Sequence, residues 1–302
     1  MRLAASAVLL AALSAAPQVQ DVFRASTDVV LLNVSALDGK GHPVGGLGVD
    51  DFQVFEDGVP QTVTVFSRDP RPIALSLLID TSVSMESKLP IAQQAAIGFV
   101  NRLGPHDLAQ VIDFDSMARI AAPFSSDHQA LAAAIRATAA GGRTALYDAV
   151  YIALDQFDRL PPPADGTVRR QAIVLLSDGE DTASHKEYDD VMDLSKRSDV
   201  ITFSIGLRAR DESSVGGWDE AEFVLRTLAQ QTGGRVFFVT DPLQLPAVYG
   251  QIADELAAQY TLGYRSKNQK HDGLWRRIAV QIPRPGTMAF TKSGYFAPTR
   301  DR

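Results

Sequence analysis

The hydrophobic positions change their period twice along the chain. Over residues 21–70, short stretches rich in Val, Leu and Phe predict strands at Asp28–Val34, Asp51–Glu56 and Gln61–Phe66. Turn signals separate them at Asp38-Gly39, Lys40-Gly41, Pro43, Gly45-Gly46 and Asp57-Gly58, which fits a small antiparallel unit. From 72 to 258 the rhythm differs. Continuous apolar runs at Ile73–Ile79, Leu108–Phe114, Ala172–Leu176, Ile201–Ile205 and Val236–Val239 predict strands buried on both faces. Helical periodicity fills the gaps. Ile91, Ala95, Phe99 and Leu103 recur four apart, and further helices are predicted at Gln129–Thr138, Ala145–Phe157, Asp189–Arg197, Glu220–Gln231 and Leu245–Gln259. Only Asp115-Ser116-Met117 separates Leu108–Phe114 from Ala118–Pro123, which predicts an antiparallel hairpin at a sheet edge. Over 259–298 strand-like alternation returns at Tyr260–Arg265, Arg276–Ile282 and Met288–Lys292.

Neither terminal segment has enough apolar positions for its own core, so the two are expected to pair into one small β domain. The fold class is therefore α/β: a doubly wound, mostly parallel sheet over 72–258, inserted between an N-terminal β segment (21–70) and a C-terminal one (259–298).

Residues 1–16 stand apart from this pattern. Arg2 precedes the uncharged apolar run Leu3–Ala16, which ends in small residues and has the form of a cleaved signal peptide. The run is too short for a permanent membrane span. The expectation is an exported protein, periplasmic or secreted, without an integral membrane segment after cleavage.

Composition narrows the chemistry. The 302 residues are 45% hydrophobic and 22% charged, the balance of a globular protein rather than a disordered one. A net charge of −7 argues against a nucleic-acid partner. The absence of cysteine removes thiol nucleophiles, disulfides and Cys-ligated metals. His42, His106, His128, His185 and His271 are scattered without metal-ligand spacing.

The informative residues lie at three places. Asp80-Thr81-Ser82-Val83-Ser84 leaves the first apolar strand, Gly141-Gly142-Arg143-Thr144 opens a helix, and Ser177-Asp178-Gly179 leaves the fourth strand. Ligands of open α/β sheets bind outside the carboxyl ends of strands, so Asp80 and Asp178 can converge there. Asp80 and Asp178 with the hydroxyls of Ser82, Ser84 and Thr144 form an all-oxygen set suited to a hard divalent cation. Magnesium keeps further oxygen ligands beside one or two protein carboxylates, which leaves a position for an acidic group of a partner. Each element also has a plainer reading: Asp80, the serines and Thr144 as helix caps, and Asp178-Gly179 as a turn.

These residues resemble the metal-ion-dependent adhesion site of von Willebrand factor type A domains, with its Asp-x-Ser-x-Ser, later Thr and later Asp. The resemblance covers about 72–258. It implies Ser82, Ser84 and Thr144 as direct ligands of Mg2+ (Mn2+ or Ca2+ as alternatives), with Asp80 and Asp178 binding directly or through water. It also implies a partner protein whose carboxylate completes the site, and coupling of binding to movement of the last helix, Leu245–Gln259. The flanks, at Val49–Val59, Gln259–Tyr264 and Ser293–Pro298, resemble exported bacterial proteins of this kind.

Two other readings stay open. One is a structural envelope protein whose metal only stabilises the fold. The other is a Mg-dependent hydrolase, although Ser82 stands where an aspartyl-nucleophile site wants a second Asp. The nucleophile elbow of a serine hydrolase and the glycine pattern of phosphate loops do not occur. Asp113 and Asp115 are expected at the hairpin, and Glu180 and Asp181 on a solvated rim.

Overall fold

A computed structural model describes residues 29–163, 168–207 and 217–299, with side chains described from 220 in the last segment; the signal-peptide expectation for 1–16 lies outside the described residues. The chain begins with β1 (Val29–Asp38), β2 (Gln53–Glu56), β3 (Val59–Gln61) and β4 (Val63–Ser67). It continues through β5 (Ile73–Asp80), α1 (Leu89–Val100), β6 (Leu108–Phe114), β7 (Ala118–Ser125), α2 (His128–Ala137), α3 (Leu146–Arg159) and β8 (Arg170–Ser177). Next come α4 (Tyr188–Arg197), β9 (Ile201–Leu207), α5 (Gly217–Thr232), β10 (Val236–Val239) and α6 (Leu245–Ala257). The strands β11 (Tyr260–Arg265), β12 (Trp275–Gln281), β13 (Thr287–Phe290) and β14 (Gly294–Phe296) complete the described chain.

The central sheet has the order β10-β9-β8-β5-β6-β7, parallel except for β7 at the edge. Every residue of β5 and β9 is buried, as continuous apolar strands covered on both faces require. α1, α2 and α6 cover one face and α3, α4 and α5 the other, each with its own apolar core. α1 ends at Val100, so Leu103 packs from the turn beyond the helix rather than from its face.

The two ends of the chain pair with each other. β13-β1-β11-β4 form one antiparallel sheet and β14-β12-β2-β3 another, around a shared core that includes Leu32, Val54, Leu262 and Ile278. β1 runs beyond the expected strand because it changes partner: Val29–Val34 pair with β11, and Ser35–Asp38 with β13. The expected strand Gln61–Phe66 is divided at Thr62. Its first part belongs to a hairpin with β2 and its second to the other sheet. The hairpin turns at Asp57-Gly58, both at positive φ (48° and 82°), which matches the right-handed strand twist. Glu56 is buried beneath this turn and accepts hydrogen bonds from Tyr264 (2.8 Å), Tyr295 (3.0 Å) and Ser266 (2.6 Å), tying strands of both sheets together.

Among the described residues no helix is long and apolar enough to cross a membrane.

Candidate functional site

Asp80 ends β5 and Ser177 ends β8, the neighbouring parallel strand, with Ile79 paired to Leu176. The chain moves from β5 to β6 on one side, while β8 lies on the other. The crevice between β5 and β8 is therefore the topological switch point, and both acidic loops open from it.

Asp80 is fully buried. One carboxylate oxygen accepts the Ser82 N–H at 2.8 Å and the other the Ser177 hydroxyl at 2.5 Å. No cation pairs with it among the described residues. Burial pushes its carboxyl up to about 6; the Ser177 and Ser82 hydrogen bonds oppose this, and the nearby charge of Asp178 adds to it.

A single 3-10 turn, Val83–Met85, brings the chain back over Asp80. Ser84 Oγ lies 3.0 Å from Ser82 Oγ and donates to Asp178 Oδ1 at 2.7 Å. The other Asp178 oxygen pairs with the Lys88 ammonium, which stands just before α1. Asp178 is almost wholly buried, with a side chain 1% exposed against 20% for Lys88. Ser84 is exposed, so the cluster reaches solvent on that side. Of the two buried carboxylates, Asp178 alone has an ammonium beside it among the described residues.

Thr144 is placed by its backbone. Gly141 N–H donates to Thr81 O (2.8 Å) and Gly142 O accepts Val83 N–H (3.2 Å), docking this loop on the Asp80 turn. Thr144 O accepts the N–H groups of Thr182 and Ala183, and Thr144 N–H donates to Thr182 Oγ1. The Arg143 guanidinium also donates to Thr182 O. Gly142 sits at φ 70°, and a Cβ there would lie 2.6 Å from Ser116 Oγ, so only glycine fits this crossing.

The geometry bears on the plainer readings. α1 and α3 begin without a side-chain cap, from Lys88 and Ala145 respectively, so neither the serines nor Thr144 cap a helix. Asp80 does close a local turn through Ser82 N–H, but its second oxygen is engaged elsewhere. Asp113 and Asp115 share Arg119 at the hairpin (2.8 and 2.7 Å). Asp181 is more than a solvated rim residue: it accepts from Tyr147 N–H and from the N–H and hydroxyl of Ser184, ordering the loop behind Asp178.

Sequence reasoning passed over Lys88 and Ser177. Ser177 directly precedes Asp178 at a strand end and could have been read with it. Lys88 has no local signal, because its contact depends on the 3-10 turn. Among the described residues no group of three or more His, Asp or Glu gathers to hold a metal. Any cation here must rely on hydroxyl oxygens beside two carboxylates, a donor set that suits a hard ion.

Residues 75–180 match the family model of the von Willebrand factor type A domain. A UPF0353 protein of Nocardia farcinica is 27% identical over 225 residues, covering 63% of this chain. The chain spans 65% of that relative's length. A UPF0353 protein of Mycolicibacterium paratuberculosis is 26% identical over 238 residues, covering 72% of this chain and 70% of the relative. The fold is similar to a von Willebrand factor type A structure from Catenulispora acidiphila (TM-score 0.53, 14% identity, 92% of this chain and 76% of that one). It is also similar to proximal thread matrix protein 1 of the mussel byssus, solved with a zinc-occupied MIDAS motif (TM-score 0.51, 18% identity, 67% and 49% of the two chains). In its strand order, its two-faced helical cover and the matched segment from β5 to the Asp178 loop, the chain is similar to a von Willebrand factor type A domain.

Proposed function

We propose that this protein is a metal-dependent protein-interaction module. Asp80, Ser82, Ser84, Thr144 and Asp178 would hold a divalent cation, Mg2+ first among the ions that an all-oxygen set accepts. The carrying observation is Asp80, a fully buried carboxylate without a counter-charge, beside a second carboxylate that has only one ammonium. An unpaired buried charge is costly, and a dication at this point would offset it. When bound, the cation supplies a Lewis-acidic position for a partner's carboxylate. The protein's own groups orient it: Ser177 and Ser82 N–H hold Asp80, while Ser84 holds Asp178. Lys88 keeps Asp178 neutralised until a stronger cation competes for it.

The mouth of the site suits a macromolecular partner. Val83, 64% exposed, and Met117, 59% exposed, stand on the two loops that Gly142 joins, and they give an apolar rim around a polar centre. Ser82 and Ser84 hydrogen-bond to one another and Ser84 to Asp178, with no imidazole hydrogen-bonded to either among the described residues, which favours binding over hydrolysis. The mussel protein's zinc-occupied MIDAS motif supports the metal reading by analogy. The leader-like segment 1–16 supports export, and N-terminal sequencing of the protein recovered outside the cytoplasm would test it.

The test of function is calorimetric titration of Mg2+ and Mn2+ into chelator-treated protein, wild type beside Asp80→Ala and Thr144→Ala. Saturable binding to the wild type alone is expected. Equal heats from folded variants would contradict the assignment.

A further inference from the structure

The opposite pole of the central sheet holds a second polar site. Between the amino ends of β8 and β9 and the sheet that contains β1 and β11 lies a cavity of about 260 Å³. Arg71, Arg169, Arg170 and Lys292 line it, together with Asp199 and Thr261. Lys292 pairs with Asp199 at 2.6 Å. Among the described residues none of the three arginines forms an ion pair. Three guanidinium charges thus gather uncompensated in a chain whose net charge is −7.

The details point to a missing acceptor. Arg170 is 2% exposed and spends both terminal nitrogens on carbonyls, Leu256 O at 3.1 Å and Gln259 O at 2.6 Å. Its Nε is left without a partner, as are the buried Arg169 Nε and Thr261 Oγ1. Buried donors are almost always satisfied, so three orphans around one cavity call for an acceptor that supplies several oxygens. Burial and the neighbouring Arg71 both push the Arg170 guanidinium down to about 10, the direction that an absent anion would reverse.

We propose that this cavity is a binding site for a small, multiply charged oxyanion, with phosphate or a short dicarboxylate as the ligand class. Guanidinium forks match the paired oxygens of such groups, and a dianion would neutralise most of the excess charge. A monoanion would leave two guanidiniums uncompensated. The site is separate from the Asp80 cluster and does not depend on the metal reading.

The experiment titrates inorganic phosphate and, separately, succinate into chelator-treated full-length protein, with sodium chloride at matched ionic strength as the reference. Calorimetry and thermal denaturation are the readouts. The variant is Arg71→Gln/Arg169→Gln, which leaves the Arg170 contacts to Leu256 and Gln259 in place. Saturable binding with a rise in Tm above the chloride reference is expected, weakened by about tenfold or more in the variant. The tighter of the two ligands identifies the source as phosphate-bearing or dicarboxylic. Two results would overturn the proposal: neither oxyanion binding better than chloride, or unchanged binding in a variant whose circular dichroism is native.

Discussion

Replacing Asp80 by Asn should stabilise the metal-free protein. The buried carboxyl is raised from 3.8 to about 6, chiefly by desolvation. A shift of about two pKa units corresponds to roughly 3 kcal/mol of penalty for the ionised form at neutral pH. Asn keeps the shape, accepts the Ser82 N–H and can donate to Ser177 Oγ. It gives up charge-assisted bonds worth about 1 kcal/mol more than neutral ones. The net gain is about 1–3 kcal/mol, or several degrees in Tm for a chain of this size. The sign with pH follows from the raised value. Below 3.8 the carboxyl is protonated in both folded and unfolded states, so Asn has no advantage. The wild type loses stability as pH rises from 3.8 to about 6, while the Asn variant does not, and the gap is constant above. Thermal denaturation in chelator from pH 4 to 8 reads this directly. Adding magnesium should reverse the order, since a ligand at about 1,000 times its Kd contributes about 4.1 kcal/mol to the wild type alone. An Asn variant that melts below the wild type in chelator at pH 7.5 would refute the reasoning, because Asp80 would then already have its compensation.

Other perturbations probe the same cluster from different sides. Lys88→Met removes the ammonium paired with Asp178 and should cost about 2–3 kcal/mol in chelator, less than the loss of a fully buried pair because Lys88 is partly exposed. Magnesium should recover most of that loss and bind more tightly than to wild type, as denaturation with and without metal would show. Gly142→Ala should weaken magnesium binding by about tenfold or more while β5 and β8 stay intact, because the new methyl collides with Ser116 and shifts the Thr144 loop. If metal and partner binding are coupled to α6, its amides should change hydrogen-exchange protection on loading. α6 packs on α1, which begins directly after Lys88, and Arg170 donates to Leu256 O in the last turn of α6 and to Gln259 O just beyond it. Equal protection in both states would mean a rigid domain.

Much of this molecule was legible because its signals are local. Continuous apolar runs gave the buried central strands, and the short Asp115-Ser116-Met117 link gave the antiparallel β6–β7 edge. Asp80 and Asp178 were legible because both follow strand cores, and parallel sheets put their ligands at that end. What stayed hidden depends on contacts distant in sequence. The exchange of partners along β1 requires β11 and β13, more than 200 residues away. The pairing of Lys88 with Asp178 requires the 3-10 turn and the neighbouring strand together. The arginine cavity forms only where the two chain ends meet the foot of the sheet, and none of Arg71, Arg169 and Arg170 stands out in a linear reading.

The most direct measurement is an anomalous diffraction map from crystals grown with manganese. The account predicts one peak in contact with Ser82, Ser84 and Thr144 and beside Asp80 and Asp178, with Lys88 drawn away from Asp178. Well-ordered density for these side chains with no peak among them, at millimolar manganese, would contradict it.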